Sequence, residues 1–97
     1  MKHFEKVKKE LTKNGIDWEL GTETGWSNYS LIFDGDDCKI LLYVGEDNNG
    51  DMFLSYYDLF VKGEYSPIFN SKNKETSTSH RGSETSVERM LNDLNLI

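Results

Sequence analysis

Alanine and glutamine are absent from this chain of 97 residues, and proline and cysteine occur once each, as Pro67 and Cys38. A lone cysteine cannot close an internal disulfide, so stapling contributes nothing to stability, and a reducing compartment is the natural setting. No stretch approaches the roughly 20 consecutive apolar residues that a bilayer span requires. The opening MKHFEKVKKELTK places charge in every turn, so the apolar run of a signal peptide is missing as well. Together these absences point to a cytoplasmic protein that does not engage membranes. The chain is too short to bury two cores, which makes residues 1–97 a single domain. Lack of Ala beside plentiful Asn, Lys, Tyr and Phe is the bias of an AT-rich coding sequence, as in a low-GC bacterium or one of its phages.

Net positive charge is the next absence. The formal net charge is −6, and its distribution is uneven. Residues 1–14 carry five lysines against two glutamates, residues 15–66 carry eleven acids against Lys39 and Lys62, and residues 67–97 balance. A protein that binds nucleic acid directly presents a basic face, because counterion release from phosphates supplies most of that affinity. Only the first segment offers one, so no direct nucleic-acid partner is expected.

Apolar periodicity sets the fold class. Phe4, Val7 and Leu11 fall on one stripe, which predicts an amphipathic helix over residues 2–14, closed by Asn14-Gly15. Ile16, Trp18 and Leu20 alternate with acids, as in a strand with one wet face. Strands are expected over Trp26–Phe33, Cys38–Val44 and Met52–Val61, with turns at 21–25, 34–37 and 46–51. Pro67 confines YSPIF to an edge or an irregular return. Val87, Met90, Leu91 and Leu94 predict a closing helix from about Thr85 to Leu94. The order α-β-β-β-β-α reads as α+β: a four-stranded antiparallel meander with an N-terminal and a C-terminal helix, both on one face. Between the last strand and the last helix, residues 70–82 contain no apolar side chain and read as a polar loop.

Catalytic chemistry finds little footing. The nucleophile candidates are Cys38, Ser79 and Ser83, with His3 or His80 as base, and nothing in their spacing makes a triad. Asp47, Asn49 and Asp51 echo calcium-loop spacing, but Gly50 falls between ligands and the flanks are strands, so the segment reads as a hairpin turn rather than a metal site. No cofactor is implied. In a meander, alternate turns share an end of the sheet, which groups Glu23 with Glu46, Asp47 and Asp51 as an acidic rim.

Three functions fit these features. The first is a non-enzymatic protein-binding module in which the acidic rim, with Tyr43 and Tyr57, engages a protein partner. Its specific form is a phage or mobile-element inhibitor occupying the basic groove of a host nucleic-acid-acting defence protein. The second is a binder of a phosphate-containing ligand or nucleotide, gripped by Ser79, His80, Arg81 and Ser83 at the entrance to the last helix. The third is a homo-oligomeric assembly module, such as a homodimer.

Overall fold

The computed structural model describes residues 2–36, 38–61, 75–80 and 85–97. Helix α1 spans Lys2–Lys13, followed by strand β1 (Trp18–Leu20), a 3-10 turn (Gly21–Thr24), β2 (Ser30–Asp34), β3 (Cys38–Glu46), β4 (Met52–Val61), β5 (Glu75–His80) and helix α2 (Thr85–Asp93). The sheet is antiparallel throughout, in the order β1-β2-β3-β4-β5, identical to the order along the chain. The α+β meander between two terminal helices is thus the observed architecture. Four of its strands are the four that the pattern of apolar residues predicts.

The fifth strand departs from expectation. Residues 75–80, expected within a polar loop, pair with β4 in the register Tyr57↔Glu75 to Met52↔His80. A strand with no apolar residue owes its place to backbone hydrogen bonding along the β4 edge, which satisfies donors and acceptors whatever the side chains are. Residues 70–74, 81 and 82 of that expected loop lie outside the described residues, as does YSPIF.

Both helices close by one device. Gly15 adopts φ +75° and Asn95 adopts φ +59°. At each end the following apolar residue donates back across the last turn, Ile16 to the Leu11 carbonyl (2.9 Å) and Leu96 to the Leu91 carbonyl (2.8 Å). These are Schellman closures, and Ile16 and Leu96 both pack against the core.

The helices lie on one face of the sheet. Phe4, Val7 and Leu11 of α1 and Val87, Met90 and Leu91 of α2 share one buried cluster with Leu31, Phe33, Ile40, Leu42, Val44, Met52 and Leu54. Each such aliphatic side chain contributes about 1.5–3 kcal/mol when fully withdrawn from water. Strand β3 occupies the centre of the sheet, which explains why it is apolar on both sides. On the face away from the helices, Ile32 and Leu41 form a second, smaller cluster with Trp26 and Tyr43 packed against it, and Leu41 is only 1% exposed. The Trp26 and Tyr43 rings meet edge to face at 5.8 Å.

The start of β2 differs from the expected strand. Trp26–Tyr29 is not strand: the Ser27 hydroxyl accepts the Tyr29 amide (2.9 Å) and the Ser27 carbonyl accepts the Ser30 hydroxyl (2.7 Å), which turns the chain before β2 begins. Tyr29, ahead of β2, is 42% exposed and meets Phe4 edge to face. Gly35 is required for space rather than for positive φ, since a Cβ there would stand 2.7 Å from Cys38 Sγ and 2.9 Å from Ile40 Cγ1.

Candidate functional site

The β3–β4 hairpin is built around Asp47. Its Oδ1 accepts the amides of Asn49 (2.8 Å) and Asp51 (2.9 Å), while its backbone N–H donates to the Asp51 carbonyl and its carbonyl accepts the Gly50 amide. Gly50 supplies the turn's positive φ, +80°, and Asn49 does not share it. A carboxylate engaged by two amides is a rigid element of the turn. Asp47 therefore shapes the rim more than it projects from it.

Helix α1 fastens this hairpin from beneath. His3, although polar, is buried, and its Nε2 lies 3.0 Å from the Gly50 carbonyl and 3.6 Å from Glu46 Oε1. A carbonyl only accepts, so Nε2 carries the hydrogen. Nδ1 is buried without a hydrogen-bond partner. Nothing local in the sequence announces this contact, because its partners are 47 residues apart.

Glu23 lies in the 3-10 turn after β1, at the same end of the sheet as the β3–β4 hairpin, since β1–β2 and β3–β4 both connect there. The two turns are neighbours about 10 Å apart laterally, two strand spacings, and the β3–β4 turn stands further out along the strands, because Leu20 at the end of β1 is level with Leu42 in the register. Glu23 and Glu46 are exposed and Asp47 and Asp51 half-buried. The structure therefore brings Glu23, Glu46, Asp47 and Asp51 to one end, as the meander parity predicts. At the other acidic turn, Lys39 Nζ reaches Asp34 at 2.7 Å and lies 3.9 Å from Glu19 of β1, on the face opposite the helices.

The aromatic candidates are not at the rim's tip. Tyr43 is half-buried beside Trp26, opposite Ser30 and Ser55 in the sheet. Tyr57 stands opposite Leu41, further down β4. Trp26 packs against Tyr43, and its Nε1 is buried with no hydrogen-bond partner.

Of the anion-site candidates, Ser79 and His80 belong to β5, opposite Phe53 and Met52, which sets them at the acidic end of the sheet. Arg81 and Ser83 lie outside the described residues. Carboxylates at that end oppose an anion. For nucleophilic chemistry, Cys38 opens β3 at the end of the sheet away from His3 and packs against the core, so the two do not converge. Among the described residues, no group of three or more His, Cys, Asp or Glu is placed to hold a metal ion, and no helix is long and apolar enough to cross a membrane. No family model, curated protein or solved structure matches this chain. The chemistry of the site rests on its own geometry.

Proposed function

We propose that this chain is a non-enzymatic protein-binding module whose acidic rim engages a basic protein surface. One observation carries the reading: Glu23 shares one end of the sheet with Glu46, Asp47 and Asp51, and the last three belong to a hairpin held rigid by the Asp47 carboxylate and by His3. Preorganised charge reduces the entropy lost on binding and steers the encounter with a complementary field. A basic groove that accepts a nucleic-acid backbone offers such a field, so an inhibitor of a nucleic-acid-acting protein, carried by a phage or other mobile element, is the specific form of the proposal.

Affinity capture from host lysate, followed by competition with heparin as a soluble polyanion, tests it. Capture should fall steeply between low and physiological salt, and the double variant Glu23→Lys/Glu46→Lys should lose the partner while keeping its thermal midpoint. Capture that ignores salt and charge reversal, or no partner at all, would defeat the reading.

A further inference from the structure

A second surface carries the opposite charge. Beside α1 runs a groove of about 480 Å³ lined by Glu5, Lys8, Lys9, Thr12, Lys13 and Trp18. Three lysines against one glutamate give this lining a formal charge of +3 − 1 = +2, within a chain of net charge −6. Lys8 Nζ is occupied by Glu5 at 2.8 Å, whereas Lys13 Nζ stands 3.9 Å from Glu10. Lys9 and Lys13 are thus the cations with most to offer a ligand.

The groove floor is apolar and held in place. Trp18 Nε1 donates to Thr12 Oγ1 (3.1 Å), and the Lys8 ammonium lies 5.6 Å from the Trp18 ring and 5.0 Å from that of Phe4. Next along β1 on the same face is Leu20, which pairs with the fully buried Leu31 yet remains 38% exposed. Strand β1 also ends the sheet: among the described residues it pairs with β2 alone, so its outer edge presents backbone donors and acceptors at strand spacing.

We propose that this groove receives an extended acidic peptide segment, which adds to the sheet as a strand beside β1. Backbone pairing along the open edge supplies affinity, and the period of two sends alternate side chains into the groove. An apolar one covers Trp18 and Leu20, and carboxylates on either side meet Lys9 and Lys13. A nucleic acid fits less well, because it cannot pair with the strand edge.

The test uses the full chain and a fluorescein-labelled peptide of sequence ETETLTETE, with EETTLTTEE as a control of the same composition and broken alternation. Fluorescence anisotropy should show the control binding weaker by about tenfold or more, and Lys9→Glu/Lys13→Glu weakening ETETLTETE by a similar factor. Both lysines are on the helix surface, and an unchanged thermal midpoint would show that the variant is folded. Amide shifts on peptide addition should concentrate at residues 18–20. Equal binding of the two peptides, no binding of either, shifts elsewhere, or displacement by oligothymidylate would overturn the proposal. A concentration-dependent dimer in sedimentation, lost in the Lys9→Glu/Lys13→Glu variant, would also overturn it by making a second copy the occupant.

Discussion

The His3 imidazole and the Gly50 carbonyl, 3.0 Å apart, join the first turn of α1 to the tip of the β3–β4 hairpin. The bond is largely shielded from water on the histidine side, so its loss exposes a cavity and frees a carbonyl at once. His3→Ala should cost about 1–2 kcal/mol in urea unfolding. Amide exchange at Gly50 and Asp51 should accelerate more than exchange in the β3–β4 ladder. An alanine variant as stable as the parent would show the contact to be incidental.

Asp47 makes a sharper comparison. Its Oδ1 accepts two amides, a role an asparagine carbonyl oxygen also fills. Asp47→Asn should keep the hairpin, whereas Asp47→Ala should cost about 1–2 kcal/mol, the range for losing a capping acceptor. Equal losses in the two variants would mean that the charge, and not the turn geometry, matters.

Glu10 is buried on α1, its Oε2 has no hydrogen-bond partner, and its Oε1 is 3.9 Å from Lys13. A carboxylate so poorly compensated costs desolvation that a side chain of similar size without charge avoids. Glu10→Met should raise stability by about 1 kcal/mol, read as a higher thermal midpoint. A fall in the midpoint would indicate that the carboxylate has a partner in solution.

Glu5 provides the pH dependence. The hydrogen bond from Lys8, helped by the charges of Lys8 and Lys9, holds its carboxyl below the ordinary glutamate value. A carboxylate depressed in the folded state stabilises fully above the unfolded-state value, and that contribution disappears as pH falls through the lower folded value. An NMR titration should therefore place the Glu5 midpoint below that of a free glutamate, and Lys8→Met should move it upward. An unmoved midpoint would remove Lys8 as the cause.

Much of this fold is legible because apolar residues report their own environment. Phe4, Val7 and Leu11, and Val87, Met90 and Leu91, mark the stripes that enter the common core, and Gly15 marks a helix end by chemistry alone. β5 is different. Its ETSTSH has no buried-face pattern, and only the β-branched Thr76 and Thr78 hint at a strand whose place is set by the edge of β4. Trp26 and Tyr29 mislead in the opposite direction, since aromatics suggest a strand where the Ser27 side chain and carbonyl build a turn. The acidic rim follows from hairpin parity and so is readable. Its fastening by His3 is a long-range contact with no local signature.

The sheet's order has a consequence in time. Because every strand pairs with its neighbour in sequence, the ladder can grow outward from the β3–β4 hairpin, whose connecting turn is short. The contact from His3 to Gly50 spans 47 residues, and a contact of that separation is expected to close after the local hairpins. Removing it should leave the folding rate nearly untouched and hasten unfolding, so that this fastening governs how long the native state lasts more than how quickly it is reached.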